Sequence, residues 1–303
     1  MLIRTHNCGE LRDAHVGQTV ILGGWVNSYR DHGNLVFIDL RDRYGLTQLV
    51  FDKEDGNAAL MEQASKLRNE DVIALEGVVR VRKGGPNPKL VTGNVEVVIG
   101  RLEVLNKTDN PPFLPDDLSK LSNEELRLTH RYIDLRRPRM QSILATRHKL
   151  YQVTRRYFDE SGFLEIETPV LYKSTPEGAR EFLVPSRNAP GEFYALPQSP
   201  QLFKQILMVA GCDRYMQICR CFRDEDPRAD RQAEFTQIDL EMSFVRREQV
   251  MGVMEGFVRR LWKEMAGYDV PPMQRMGYRE AMERFGIDRP DTRYGLEIKD
   301  ISG

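Results

Sequence analysis

Residues 222–241 read FRDEDPRADRQAEFTQIDLE, and half of these twenty residues are charged, with the signs mixed. In EFTQIDLE, Ile238 and Leu240 alternate with Gln237, Asp239 and Glu241, which places the three polar side chains on one face of a strand. In ICRCFRDE, Arg223 and Glu225 likewise share a face, opposite Phe222 and Asp224. Two such strands side by side make a sheet floor whose open face carries an arginine fork among carboxylates and an amide. A guanidinium fork suits a phosphate and a carboxylate together. The bland alternative is an ordinary sheet with one solvated face, but such faces usually carry Thr, Lys and Glu. Upstream, STPEGAR (174–180) and ALPQSPQLFKQ (195–205) supply complementary polar residues in short, Pro-punctuated stretches. Lys204 falls in the first turns of a helix, where a lysine gains nothing from the dipole. Gln201, one turn earlier, shares its face.

These residues need a scaffold, and two patterns supply it. Residues 1–107 read as five short strands, TVILGGWVNSYR, NLVFIDLRD, LTQLVF, DVIALEGVVRVR and VEVVIGRLEVL, with one helical stretch, AALMEQASKLR, after the third. That order matches a small Greek-key barrel of the OB type. The Pro- and Asp-rich NKTDNPPFLPDD ends the barrel, and residues 108–140 read as a hinge. From 141 the period becomes helical: MQSILATRHKLYQVTRRYFDESG ends at Gly162, a C-terminal cap. FLEIETPVL reads as a strand broken by Pro169. PQLFKQILMVAG reads as a helix, the two charged strands follow, and EQVMGVMEGFVRRLWKEMAG is another amphipathic helix. The fold class is α+β: an OB-type barrel, then helices on an antiparallel sheet over 141–287, with 288–303 opening a further segment. Between the charged strands, DPRADRQA is too long for a tight hairpin and should project as a loop.

The 303 residues are 41% hydrophobic and 29% charged, the balance of a globular chain. No apolar run approaches a membrane span. Lys and Arg total 44 against 45 Asp and Glu, so contact with nucleic acid must rest on local patches and base stacking. Cys8, Cys212, Cys219 and Cys221 show no framework spacing, which points to reduced thiols in the cytosol. Cys219 and Cys221 share a strand face without the second ligand pair that a structural metal site needs.

GFLEIETPVL resembles motif 1 of the class II aminoacyl-tRNA synthetases, and FRDED…RQAEFTQIDLE resembles motif 2. TPEGAREFLVPS, ALPQSPQLFKQ and RYIDLRRP narrow the resemblance to aspartyl-tRNA synthetases of bacterial type, over essentially all 303 residues. The resemblance implies an anticodon-binding barrel and a catalytic second domain that joins L-aspartate to ATP, releases pyrophosphate and charges tRNA-Asp. It makes Arg223 the arginine on the α-phosphate and the aspartate, with Glu225 the other catalytic residue. Asp224, Glu225 and Gln232 fall at the nucleotide, and Glu177, Ser199, Gln201, Lys204 and Asp239 at the aspartate. Lys204 suits the choice of aspartate over asparagine, because a cation facing the neutral amide goes uncompensated. Mg2+ is implied with ATP, with Glu241 as a contributor. A homodimer built on the long helix 141–160 and motif 1 is implied too.

On the RNA side, Arg30, Phe37 and Gln48 match anticodon contacts of the family. An aromatic on an OB strand stacks an unpaired base. His32, Gly84 and Gly85 resemble the non-discriminating type, which also places aspartate on tRNA-Asn; neutral drift in two loops is the plain alternative. Three other readings stand beside this one: strict tRNA-Asp specificity, a lysine or asparagine enzyme of the same fold, and a non-catalytic RNA-binding relative. Lys204 opposes the lysine and asparagine readings. A further metal carboxylate and the motif 3 arginine of the family fall after residue 303, so the expectation is a fragment that does not charge tRNA alone.

Overall fold

A computed structural model describes residues 2–53, 58–116, 121–228 and 230–301. Residues 117–120 of the hinge, Ala229 of the projecting loop and residues 302–303 lie outside the described residues. The chain forms two compact units, 1–145 and 146–303.

The first unit is built on β1 (Thr19–Asp31), β2 (Leu35–Asp42), β3 (Gly45–Asp52), β4 (Val72–Val81) and β5 (Val95–Asn106), with α1 (Ala58–Ser65) between β3 and β4. The strands close into a barrel in the order β1-β2-β3-β5-β4, with β3 and β5 parallel. Closure follows from alternation: Val20, Leu22, Val26, Val36, Ile38, Leu40, Leu49, Ile73 and Leu75 all point inward and are buried. Gly24 sits where a Cβ would come within 2.3 Å of the Arg41 carbonyl oxygen, so β1 and β2 pack at a distance that only glycine permits.

The linker is clasped to one corner of this barrel. Asp71 accepts from Lys107 Nζ at 2.9 Å and from the Thr108 amide at 2.9 Å. Neighbouring Glu70 is 2% exposed and receives Arg41 at 2.7 and 2.8 Å and Arg136 at 3.0 Å. The Arg136 guanidinium also lies over the Trp25 ring, 4.9 Å from its centroid. Next come α2 (Glu124–Thr129) and α3 (Arg131–Asp134), where the fully buried Asp134 gathers Arg127, Arg131 and Arg137. RYIDLRRP is therefore a structural knot: its isoleucine and aspartate are buried and its arginines neutralise carboxylates.

α4 (Pro138–Glu160) begins in the first unit and continues into the second, which goes on with a short β6 (Leu164–Glu165), then β7 (Leu183–Pro185), β8 (Phe193–Ala195), α5 (Gln201–Val209), β9 (Arg214–Phe222), β10 (Glu234–Met242), α6 (Arg247–Ala266) and α7 (Tyr278–Phe285). β9 and β10 pair antiparallel, Asp239 opposite Gln217, and β6 joins β9 in parallel. The stretch after Gly162 is thus a strand of two residues, not the longer one its composition suggests. Met216, Ile218, Ile238 and Leu240 pack against Phe158 of α4, Phe163 and Phe257 of α6. Phe158 meets Phe257 with ring centroids 4.9 Å apart and Phe163 at 5.2 Å.

Candidate functional site

With the apolar residues of β9 and β10 turned to the helices, the alternate residues form the opposite face. On β10 these are Phe235, Gln237, Asp239 and Glu241; opposite them on β9 lie Cys221, Cys219, Gln217 and Tyr215. β9 stops at Phe222, one residue before Arg223. Arg223 keeps the sheet direction, because its amide donates to the Ala233 carbonyl at 2.8 Å. Beyond it the chain leaves the sheet: Asp224, Glu225 and Gln232 are exposed on the connecting loop. Arg223 and Glu225 therefore do not share a strand face, which corrects the alternation argument at this point. The cause is the unpaired acidic run, which gains more from water than from a ladder.

Lys204 reaches from α5 onto this face. Its ammonium donates to Asp239 Oδ1 at 2.9 Å and to the Leu240 carbonyl at 3.4 Å, and Glu241 Oε2 lies 3.4 Å away. Lys204 and Asp239 side chains are each 11% exposed. Burial works against the Lys204 charge, but the Asp239 bond and charge, with Glu241 behind, outweigh it and hold the ammonium above its ordinary range. Burial dominates for Asp239, joined by the Glu241 charge, and raises its carboxyl despite Lys204. The Tyr215 hydroxyl, raised by burial and then by Asp239, donates to Gln217 Oε1 at 2.7 Å beneath the pair.

At the other end of the same face, the Arg223 guanidinium lies over the Phe235 ring, 5.1 Å from its centroid. Its Nε is buried and has no hydrogen-bond partner among the described residues. Phe235 and Asp239 are four positions apart, about 13 Å of strand. Gln237, Cys219 and Cys221 floor this interval, with the two sulfurs 3.7 Å apart.

The loop STPEGAR lies against the segment before α5. Ser199 Oγ donates to Glu177 Oε2 at 2.8 Å, which joins two of the residues singled out from sequence. Backbone bonds knit the loop to the floor: the Phe222 amide donates to the Pro197 carbonyl and the Asp224 amide to the Arg180 carbonyl, each at 2.9 Å. Gln201 is half-buried on the first turn of α5. Gln198 was not singled out from sequence, yet it is 2% exposed and bonds across to Ala179. Among the described residues no three His, Cys, Asp or Glu side chains gather as a metal site. Glu241 faces Lys204 instead.

In the barrel, Arg30, His32, Leu35, Phe37, Gln48, Arg80, Arg82, Lys83, Gly84 and Glu96 line a cavity of about 250 Å³. His32 and Phe37 meet edge-on with centroids 5.7 Å apart. Gln48 is 3% exposed and its amide is already engaged: Nε2 donates to Glu96 at 2.9 Å, and Oε1 accepts from Arg30 at 3.4 Å. Arg30 itself spans Asp39 at 3.0 and 3.1 Å. A base edge meeting Gln48 can therefore take its remaining N–H or the second lone pair of its Oε1, or displace a partner. Gly85 has φ +80°, a glycine conformation, whereas Gly84 has no such φ and open space where a Cβ would stand. Arg80, Arg82, Lys83 and Glu96 escape a reading by local period, because β4 and β5 bring them together across long loops, Arg80 opposite Glu96.

Comparison with known proteins matches residues 123–301 to the family described as tRNA synthetases class II (D, K and N), and residues 20–105 to the OB-fold nucleic acid binding domain. The chain is 56% identical over 301 residues to an aspartate-tRNA(Asp/Asn) ligase of Desulfatibacillum aliphaticivorans, covering 99% of this chain and 50% of that protein. It is 56% identical over 304 residues to a protein of the same name from Salinibacter ruber, with 99% and 48% covered. The chain thus spans about half the length of the curated relatives it matches. Among solved structures, asparaginyl-tRNA synthetase from Pyrococcus horikoshii complexed with asparaginyl-adenylate superposes with a TM-score of 0.77 at 25% identity, over 89% of this chain and 59% of that one. A barrel followed by a strand pair with a polar face, matched by that family over more than half the residues, places the chain among the class II tRNA synthetases of the D, K and N group.

Proposed function

We propose that this chain carries the aspartate-activating and anticodon-binding parts of an aspartate–tRNA ligase of the non-discriminating type. The protein joins the L-aspartate carboxylate to the α-phosphate of ATP with release of pyrophosphate, and transfers the aspartyl group to tRNA-Asp and tRNA-Asn with release of AMP. The observation that carries the reading is the buried Arg223 Nε without a partner, on the same sheet face as the Lys204–Asp239 pair. A buried donor left unpaired is costly, and an α-phosphate oxygen satisfies it.

In this reading the side-chain carboxylate of aspartate meets Lys204, and Glu177, handed over from Ser199, takes the ammonium. Arg223 bridges the reacting carboxylate and the α-phosphate, two anions that meet only if a cation offsets their repulsion. The adenine side falls to Glu225, Asp224 and Gln232. Magnesium is proposed to arrive with the triphosphate. The described residues build no metal site of their own, and Glu241 is its candidate ligand here. In the barrel, Phe37 stacks a base while Arg30, Gln48 and the His32–Gly84 wall read its neighbours. The names of the relatives, which include both tRNA-Asp and tRNA-Asn, support dual charging. A cytoplasmic homodimer is part of the proposal; no helix of the described residues is long and apolar enough to cross a membrane.

Amino-acid-dependent ATP–pyrophosphate exchange on the full-length protein tests the reading. Aspartate should support exchange, and asparagine and lysine should not. Exchange with asparagine or lysine would replace the substrate, and no exchange at all would favour a non-catalytic RNA-binding relative. Charging of tRNA-Asn near the rate for tRNA-Asp is expected, and a preference of several hundredfold for tRNA-Asp would leave the strictly specific enzyme.

A further inference from the structure

Gln198 has no place in the chemistry above, yet it is among the most deeply buried polar side chains of the second unit, 2% exposed. Its own backbone is fixed on both sides. The Leu196 amide donates to the Phe182 carbonyl at 2.9 Å, and the Pro197 carbonyl accepts from Phe222 at the end of β9. From this anchored position the carboxamide reaches 19 residues back along the chain. Its Oε1 accepts from the Ala179 amide at 3.0 Å, and its Nε2 donates to the Ala179 carbonyl at 2.9 Å. One side chain thus makes both bonds that a paired strand residue would make, to a segment that has no strand partner.

The loop is tied a second time. Glu181 Oε1 accepts from the Thr175 amide at 2.9 Å and lies 3.5 Å from Gln198 Nε2. Burial opposes the Glu181 charge, but hydrogen bonds from Ser174, Thr175 and Gln198 hold it below the ordinary glutamate range. Between these ties lies Glu177, and the residue after Gln198, Ser199, holds its carboxylate at 2.8 Å. Adjacent residues therefore grip the loop in two ways: Gln198 through its backbone, and Ser199 through a side chain that a substrate ammonium can take over.

We infer that Gln198 is a positioning residue for the amino-acid subsite: by clamping Ala179 it fixes the height of the loop, and so sets the affinity of Glu177 for the substrate ammonium. This rests on the proposed aspartate site. The clamp does not touch substrate, and the nucleotide residues lie on a different segment, joined to the loop at Arg180 through the Asp224 amide and not at Ala179. Loss of the clamp should therefore be felt by aspartate and spare ATP. The half-buried amide and carbonyl of Ala179 would lose their partner, which favours an opened loop.

The test is pyrophosphate-exchange kinetics on the full-length protein with Gln198→Met, which keeps the length and loses both bonds, and Gln198→Glu. For Gln198→Met the KM for aspartate should rise about 10- to 100-fold, with the KM for ATP within about twofold. Gln198→Glu keeps the acceptor, loses the donor when ionised and sets a second carboxylate against Glu181. Protonated, it regains an O–H donor. Its aspartate KM should fall toward wild type as the pH is lowered, while that of Gln198→Met should not follow. An unchanged aspartate KM in Gln198→Met would overturn the inference, as would equal rises for aspartate and ATP. If Gln198→Met does not fold, Gln198→Glu decides alone: recovery on acidification supports the clamp, and a pH-independent KM contradicts it. Wild-type protein that shows no aspartate-dependent exchange would remove the functional reading itself, a result separate from any behaviour of the variants.

Discussion

The Lys204 ammonium donates to Asp239 Oδ1 at 2.9 Å while Glu241 stands 3.4 Å from the same nitrogen. One cation thus serves two carboxylates on a half-buried sheet face. A side-chain carboxylate arriving beside it competes for a charge already held in position.

Removing that cation leaves Asp239 buried beside a like charge. Lys204→Met should lower unfolding stability by about 3 kcal/mol, the lower end for breaking a buried pair, because both side chains keep some access to water. Denaturant unfolding of the variant against wild type measures it. Aspartate affinity should fall at the same time by at least about 100-fold, since in the proposed site the variant also loses the partner of the substrate carboxylate.

The same pair fixes a pH dependence. Lys204 has its folded value raised above the ordinary 10.5, so its contribution is complete below 10.5 and is lost as pH rises through the folded value. The stability difference between wild type and Lys204→Met should stay level across neutral pH and shrink above 10.5. A difference that shrinks between neutrality and 10.5 would show that the lysine is not held by its carboxylates.

In the linker corner, Glu70 neutralises Arg41, and the two side chains are 2% and 8% exposed. Glu70→Ala should cost about 3–5 kcal/mol, because Arg41 is left charged and buried with Asn27 as its remaining polar contact among the described residues. The loss should hardly vary with salt, unlike that of an exposed pair. Chemical denaturation at low and high ionic strength distinguishes the two.

Two adjacent glycines of the barrel turn should respond differently. Gly84→Ala places a methyl in open space, and its stability should stay within about 0.5 kcal/mol of wild type. Gly85→Ala forces a side chain into φ +80° and should cost about 1–2 kcal/mol. Gly84→Lys should be tolerated as well as alanine while lowering the charging of tRNA-Asn relative to tRNA-Asp, because its side chain enters the cavity that His32 and Phe37 share. Parallel melting curves and charging assays read both effects.

Phe37→Ala should weaken binding of an anticodon stem-loop by about 1–3 kcal/mol, the worth of one stacked base. An unchanged affinity would return Phe37 to a packing role.

How far the sequence revealed this arrangement depended on the range of each interaction. The barrel was legible because its inward residues alternate over five strands and that pattern is local. The polar face of β10 was legible for the same reason: Gln237, Asp239 and Glu241 repeat every second residue. Alternation misled at Glu225, where the ladder ends at Phe222 and the acidic run turns to solvent. It also overstated the strand after Gly162, which pairs over two residues. Gln198 left no local trace, since a glutamine between two prolines acquires its meaning from Ala179, 19 residues away. Arg80 and Glu96 likewise meet through strand register that no window of sequence contains.

In the proposed site the Lys204 ammonium and the Arg223 guanidinium, on one sheet face, receive the side-chain carboxylate and the phosphoryl group of aspartyl-adenylate. A crystal structure of the full-length protein with a non-hydrolysable aspartyl-adenylate analogue tests this most directly. Lys204 Nζ should be in hydrogen-bond contact with the side-chain carboxylate of the analogue and Arg223 bonded to its phosphoryl mimic, with the Nε satisfied. An analogue bound elsewhere, or touching one of these residues while the other points to bulk solvent, would contradict it.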